Sequence, residues 1–384
     1  MFENPFTPTF GGKPDFFFGR HALLDRFDEA LANRGSADRA LFITGNRGCG
    51  KTALLEQFSM RAKRHGWLSV DINSENALEV LTRSLVRHQA ATREVAPELE
   101  VSILGSGGRV GGVSSSKTVA FDKKDIELIL LEACKEHPEG IMLTIDEIQK
   151  IDLDDLSLIC GAFQMASRKG FDVIMAVAGL PYSHDAVIQH EGCTYMRRAP
   201  HESLSVFTHD EARDAFVEAF GHVKGLGLGE AALERLVAAS YGHPFFIQLA
   251  GYALVKHANS VTKAKTYRLT ENDVESVLPE VIRDYEARSL VPILSALTKS
   301  ERAYLDAMAA NAGADGKVMS TGIAQELGKS TKQLSMTRKK LLDQGIIVAP
   351  AHGVVMFNIP YLRPYLAMRT NGESDSSLAE EWQF

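Results

Sequence analysis

Gly45-Asn46-Arg47-Gly48-Cys49-Gly50-Lys51-Thr52 fits the pattern GxxxxGK[ST]. Glycines at this spacing let the backbone curl so that successive N–H groups point inward at phosphate oxygens. Lys51 supplies a mobile cation for β- and γ-phosphates, and the Thr52 hydroxyl suits Mg2+. A helix opening at Thr52 and Ala53 adds the positive end of its dipole. About 95 residues beyond Lys51, the apolar run Ile141–Ile145 ends in Asp146-Glu147. An acid at the carboxyl end of a strand faces the crevice where α/β sheets bind ligands. Asp146 there would hold Mg2+, directly or through water, and Glu147 would orient and polarise an attacking water. Alone, such a pair is a solvated strand end; downstream of a phosphate loop it reads as hydrolytic. The expected ligands are ATP or ADP with Mg2+, and the expected catalytic side chains here are Lys51 and Glu147.

These residues need a sheet to hold them. Ala40–Thr44 is a short apolar run ending in glycines, which reads as a buried strand. A helix over Thr52–Arg64, a strand near Trp67–Ile72, a helix over Ala77–Gln89 and strands at Gly140–Ile145 and Phe171–Ala178 follow. Strands alternating with helices predict an α/β fold, a parallel P-loop NTPase sheet with helices on both faces. Residues 1–20, rich in Pro, Gly and Phe, read as an extended arm. The Gly/Ser-rich stretch 101–118 is an insertion, a hairpin or a loop, with the hairpin favoured by flanking β-branched residues. The predicted division is an ATPase core over 1–207, an all-α lid over 208–290, a C-terminal module over 291–370 and a loose acidic tail over 371–384.

Composition bounds the rest. With 384 residues, 45% hydrophobic and 24% charged, the chain has material for two or three packed domains. A net charge of −7 excludes a polycation that coats nucleic acid along its whole surface. Cys49, Cys134, Cys160 and Cys193 are far apart with no CxxC pair, so neither a zinc ribbon nor a secreted disulfide framework is expected. The start MFENPFTPTF has no basic stretch followed by an apolar one, and no apolar run approaches membrane-spanning length. A cytoplasmic protein that does not enter membranes is expected.

In the C-terminal module, Thr298 and Glu301 form a capping box. A helix over Ser320–Leu327, a third capped by Ser330-Thr331 and ended at Gly345, and strands Ile346–Ala349 and Val354–Asn358 follow. That order is a winged helix-turn-helix. Leu294–Thr370 carries ten basic against five acidic residues, a local excess of positive charge in an acidic chain. Lys329, Lys332, Gln333, Ser335 and Arg338 would line a recognition helix suited to double-stranded DNA. Winged helices also dock on proteins, and that reading stays open.

Together these residues resemble the AAA+/STAND division of P-loop ATPases, and within it bacterial and archaeal ATPases related to origin-recognition initiators. Phe18-Gly19-Arg20 resembles the FxGR box, which the resemblance places beside adenine. Tyr241-Gly242-His243-Pro244-Phe245 resembles the STAND GxP motif, whose proline packs on the base. Ala178-Gly179-Leu180-Pro181 and Phe357-Asn358-Ile359-Pro360 match segments of the same group. The resemblance implies nucleotide contacts from Gly19, Arg20, Gly45, Asn46, Arg47, Gly48, Cys49, Gly50, Lys51, Thr52, Ala53, His243 and Pro244. It also places Arg197-Arg198 where the family carries an arginine finger, Arg198 the better match, implying a homo-oligomer; the alternative is a surface pair on a turn.

Two departures count. Val177-Ala178-Gly179 offers no side-chain donor at the sensor-1 position, and the sensor-2 arginine, due near Phe245, is absent. Both imply slow hydrolysis by a switch rather than a motor. The expected function is an ATP-dependent switch coupled to a DNA-binding winged helix; the alternative is a nucleotide-regulated signalling or scaffold protein whose winged helix binds protein. Cys49 is either a redox gate or a small side chain that fits, the latter favoured. His243 senses the γ-phosphate or shapes its turn. Gln164 and Arg168 face solvent or a subunit interface, solvent being the expectation.

Overall fold

A computed structural model describes residues 1–8, 17–73, 76–92, 123–313 and 316–371. The Gly/Ser-rich insertion and all but the first residue of the acidic tail lie outside the described residues. The chain divides into two compact units, one of residues 21–44 and 54–203, the other of 1–20, 45–53 and 204–384.

The first unit is built on a five-stranded sheet. Its elements are α1 (His21–Ala32), β1 (Ala40–Gly45), α2 (Lys51–Arg64), β2 (Leu68–Ile72), α3 (Ala77–Thr92), α4 (Lys123–Glu136), β3 (Ile141–Ile145), α5 (Leu153–Arg168), β4 (Val173–Gly179), α6 (Pro181–Gln189), a 3-10 turn (Glu191–Arg198) and β5 (His201–Leu204). Strand order is β2-β3-β4-β1-β5, with β1 to β4 parallel. Every residue of β1, β3 and β4 is buried, as continuous apolar runs must be when helices cover both faces. Leu81 and Leu85 of α3, Ile126 and Leu130 of α4 and Phe163 of α5 share a core with Leu143 and Met175. The register pairs Ile43 with Ala178 and Ile145 with Val177, so β1, β4 and β3 end at one rim. From that rim the chain runs past Ile145 into Asp146-Glu147. The predicted strands hold to within two residues at their ends; α4 and β5 are additional.

The second unit continues through α7 (His209–Gly221), β6 (Leu226–Leu228), α8 (Glu230–Ser240), α9 (Pro244–Val261), β7 (Tyr267–Leu269) and α10 (Glu271–Tyr285). Capping boxes at Thr208/Glu211 and Thr270/Asp273 open α7 and α10. The reading of 208–290 as helical throughout is corrected: β6 and β7 form a two-stranded parallel pair, Leu226 opposite Tyr267. Strands of three residues leave too little alternation to register as a period.

Residues 1–8 of the N-terminal arm carry no helix or strand and are pinned. Phe2 and Phe6 are buried, the Phe2 N–H donates to Asn259 Oδ1 (2.6 Å), and the Thr7 N–H donates to Gln248 Oε1 (3.0 Å). A Cβ on Gly251 would stand 2.2 Å from the Phe6 ring, so the glycine in α9 is the seat of that ring.

A π-type turn (Glu286–Leu290) leads to α11 (Val291–Ser295), α12 (Lys299–Ala310), β8 (Lys317–Met319), α13 (Ser320–Glu326), α14 (Ser335–Asp343), β9 (Ile347–Ala351), β10 (Val354–Phe357) and α15 (Leu362–Asn371). The strands make an antiparallel sheet in the order β8-β10-β9. β8 was not anticipated from the sequence. The third helix also starts later than predicted. Ser330 N donates to Gln333 Oε1 (2.8 Å) and Gln333 N to Ser330 Oγ (3.3 Å), closing a turn before α14 begins at Ser335. Lys332 and Gln333 therefore precede the helix, and Gln333 Oε1 accepts within the turn. One hydrophobic core runs from Phe2 and Phe6 through Phe216, Phe246 and Tyr285 to Tyr361 and Leu366, so α7 to α10 and the C-terminal module pack as one body.

Candidate functional site

The phosphate-type loop is shaped by its glycines. Gly48 and Gly50 take φ of +78° and +96°, which side chains rarely adopt. A Cβ on Gly45 would lie 2.5 Å from Cys49 Sγ and 2.7 Å from the Leu204 carbonyl oxygen, so only glycine closes the loop there. Lys51 is 6% exposed, and its ammonium donates to the carbonyls of Gly45 (2.8 Å) and Asn46 (2.9 Å). An ammonium has three donors, so this geometry uses two and keeps one for a further acceptor. Lys51 opens α2, and exposed Thr52 and half-buried Ala53 follow in its first turn. Burial pushes the Cys49 thiol up despite Lys51 and Arg20 nearby, which supports the reading of a small side chain that fits.

Two other sequence-predicted segments belong to the same unit. Gly19 and Arg20 both have positive φ, +70° and +58°. The Arg20 guanidinium lies 4.9 Å over the Phe207 ring and donates to the Ser205 carbonyl. Phe207 was not singled out in the sequence, yet it joins the two segments. Its N–H donates to the Gly242 carbonyl (2.8 Å), and a Cβ on Gly242 would stand 2.0 Å from the Phe207 oxygen. The only sequence signal for it is an aromatic residue one place ahead of a capping box.

His243 sits beneath the loop. It is 4% exposed, hydrogen-bonded to the Arg47 backbone, and a Cβ on Gly48 would be 2.5 Å from its Cε1. Its Nδ1 is buried without a hydrogen-bond partner among the described residues. Desolvation pushes this imidazole down to about 4, so it is neutral at ordinary pH. On its far side the ring meets Tyr285 edge-on at 5.1 Å, and Tyr285 packs on Tyr361 at 5.7 Å. Tyr361 stacks on Phe246 and donates to the Ala239 carbonyl. Pro244 is the first residue of α9, where a missing N–H costs nothing.

Asp146, Glu147, Arg197 and Arg198 belong to the unit with the large sheet. Asp146 N donates to the Ile72 carbonyl (2.8 Å), fixing it at the end of β3, and its Oδ1 accepts from Glu147 N (2.8 Å). Glu147 has φ of +51°, an uncommon backbone for a glutamate. Gln149 Nε2 donates to Glu147 Oε2 (2.6 Å), and Gln149 Oε1 accepts from Leu180 N (3.1 Å). A Cβ on Gly179 would meet Ser183 Oγ at 2.3 Å and Gln149 Oε1 at 2.9 Å. The polar group at the end of β4 thus comes from Gln149, which sequence reasoning missed because it lies on a different segment. Arg197 Nε donates to the Ile188 carbonyl (2.6 Å), and both arginines are exposed. Gln164 is half-buried and Arg168 exposed at the end of α5.

The sheet and its glycine loop define the class: this is the AAA+ P-loop fold, with the helical region at the carboxyl end. Residues 17–175 match the AAA ATPase domain family, and that domain is a nucleotide-binding ATP hydrolase. Residues 290–366 match a family described as a domain of unknown function (DUF8462). Among solved structures, the ORC2 protein of Aeropyrum pernix in its ADPNP-ADP complexes is 14% identical, with a TM-score of 0.65 over 97% of this chain and 100% of that one. The ADP form of the same protein gives 16% identity and a TM-score of 0.54 over the same shares, 97% and 100%. A curated relative, malate dehydrogenase of Geotalea uraniireducens (strain Rf4), is 33% identical over 82 residues. That match spans 21% of this chain and 24% of the relative, under a quarter of its length. Among the described residues no helix is long and apolar enough to cross a membrane.

Proposed function

We propose that this protein is an ATP-driven switch of the AAA+/STAND kind, related to origin-recognition ATPases, that hydrolyses ATP slowly and sets the state of a C-terminal winged helix. The observation that carries the reading is the buried Lys51 ammonium, held by two carbonyls of the loop it belongs to and keeping one donor for a phosphate oxygen. Residues 1–207 would form the ATPase core with its insertion, 208–290 the lid and 291–370 the winged helix.

In this mechanism the glycine-loop N–H groups and Lys51 bind the β- and γ-phosphates. Gly19, Arg20, His243 and Pro244 line the nucleotide side of their unit. A threonine hydroxyl and a carboxylate are the hard oxygen donors that Mg2+ prefers, so Thr52 and Asp146 are its proposed ligands. Bound there, Mg2+ would neutralise charge on the phosphates. Glu147 orients the attacking water and accepts its proton, while Gln149 holds the Glu147 carboxylate in place. Arg198 of a second copy would stabilise charge on the transferring oxygens, so turnover would rise with protein concentration.

Exposed Lys329, Lys332 and Lys340 and the local basic excess support duplex DNA as the partner of the C-terminal module. One observation favours the second reading, a nucleotide-regulated scaffold: Tyr361 seats the module on the lid, against Phe246 and Ala239. Phosphate release and duplex-DNA affinity, measured on one preparation with ATP, ADP and a non-hydrolysable analogue, test the proposal. Nucleotide-dependent affinity that falls steeply with salt is expected. Hydrolysis without DNA binding in any nucleotide state selects the scaffold, and absence of hydrolysis overturns the switch.

A further inference from the structure

The outer face of the C-terminal sheet is apolar. Strand side chains alternate between faces, and Val318 of β8, Val355 of β10 and Ile347 of β9 are buried in the core beneath. Their neighbours stand on the opposite side in two cross-strand rows. Met319 of β8 pairs with Val354 of β10, which pairs with Ala351 of β9. Lys317, Met356 and Val348 make the second row. A register shift between Val354 and Met356 keeps Val348 and Ala351, three residues apart, on one side. Met319 is 56% and Val348 37% exposed, Lys317 and Ala351 are exposed, and Val354 and Met356 are half-buried. A face turned to water ordinarily carries polar residues at these positions. Here Lys317 is the charged member of an otherwise apolar set, and its two methionines are adaptable side chains that suit a binding surface. The edge strand β9 carries Pro350, which has no N–H to offer, so pairing along that edge is blunted and the face is what remains to be covered.

We propose that residues 372–384 of the same chain dock on this face. That segment, outside the described residues, reads GESDSSLAEEWQF. Its chemistry is complementary in two respects. Leu378, Trp382 and Phe384 bring large apolar groups, and aromatic rings make favourable contacts with methionine sulfur. Glu373, Asp375, Glu380 and Glu381, with no basic residue among them, meet Lys317 and a module that carries ten basic against five acidic residues. Residues 1–293 are net acidic and repel the same segment. Chain length favours docking in cis. The segment leaves α15, whose Leu362 and Leu366 share a core with Val318 and Val355, so its origin and the face belong to one body. Fully extended, it spans about 40 Å, against a breadth of roughly 30 Å for a module of about 80 residues. Tethering sets an effective concentration of about a millimolar, enough to populate a contact too weak to hold a free peptide. Seated there, the four carboxylates offset the basic excess of the module, and a partner seeking the same face has to displace them. The docking rests on neither the ATPase nor the DNA reading.

Photo-cross-linking tests it. The full chain, with p-benzoylphenylalanine in place of Trp382, is irradiated in dilute solution, digested and mapped by mass spectrometry. Benzophenones favour methionine, so Met336 of α14, which is 65% exposed, serves as the internal control. Adducts at Met319 and Met356 within one chain are expected, at least about fivefold above Met336 and at a yield independent of protein concentration. Met319→Lys combined with Val348→Lys should lower the Met356 adduct severalfold, because the segment would then have to desolvate two charges. Adducts led by Met336, adducts only between chains with a yield that rises with concentration, or a Met356 adduct unchanged by the two lysines overturns the proposal. The map on the unaltered face decides even where the lysine variant fails to fold.

Discussion

The phosphate-type loop and the C-terminal module both offer lysines, but they hold them in opposite ways. Lys51 is buried, and its ammonium is fixed by two carbonyls of its own loop. Lys329, Lys332 and Lys340 are exposed, and Lys339 makes an i,i+4 pair with Asp343 at 2.8 Å. A buried cation has one geometry and few partners, so removing it leaves polar groups unpaired and costs several kcal/mol. An exposed cation is screened and mobile, and contributes through long-range charge. The loop is thus committed to one ligand class by its backbone, whereas the module's lysines acquire a role only from what they meet.

That contrast is sharpest at Lys51. Lys51→Ala should weaken ATP binding about a thousandfold, read with a fluorescent nucleotide; unchanged affinity would remove the lysine from the phosphate site. A second large effect comes from His243 under the same loop. Its neutral, buried ring resists protonation down to about 4, while the unfolded chain takes a proton near the ordinary value of 6.5. The unfolded state therefore binds more protons between those values, and stability falls as pH drops from 6.5 to 4, by about 3 kcal/mol. Denaturant titrations across that window should show the slope, and His243→Asn should flatten it; an equal slope in the variant would place its origin elsewhere.

Smaller effects follow. Glu147→Gln should leave ATP bound and lower turnover about a hundredfold, since a carboxamide cannot take the proton of water; undiminished phosphate release would count against it. Gln149→Ala should lower kcat roughly fivefold with little change in KM, because it acts by holding Glu147. A change confined to KM would reassign it to binding. At the exposed end of the comparison, changing Lys332 and Arg338 together to Ala should weaken duplex-DNA binding a fewfold, roughly equally across sequences, and flatten its salt dependence. An unaltered slope would take the α14 region out of the interface.

Legibility followed the range over which each feature is determined. The strands β1, β3 and β4 were visible because a doubly covered strand is a continuous apolar run. Asp146 and Glu147 were legible as acids that follow a buried strand, because a continuous apolar run marks its own end. β6, β7 and β8, each three residues long, were not, since so short a strand exists only through its partner. Gln333 shows a misplaced boundary: a basic helical pattern put it on the third helix, whereas its Oε1 closes a turn with Ser330 before that helix begins.

By itself the sequence determined the glycine loop, its lysine, the acids after β3 and the alternation that makes a parallel sheet, because backbone curvature and apolar periodicity are written within a few neighbouring residues. The tertiary structure alone decided what those residues lean on. Phe207 joins Gly19-Arg20 to the Tyr241–Pro244 turn, His243 lies under Gly48 and against Tyr285, and Gln149 reaches both Glu147 and the backbone after β4. Each of these is a contact between segments distant along the chain or on separate elements. Packing selects such contacts only once the core has formed, and no local pattern encodes them.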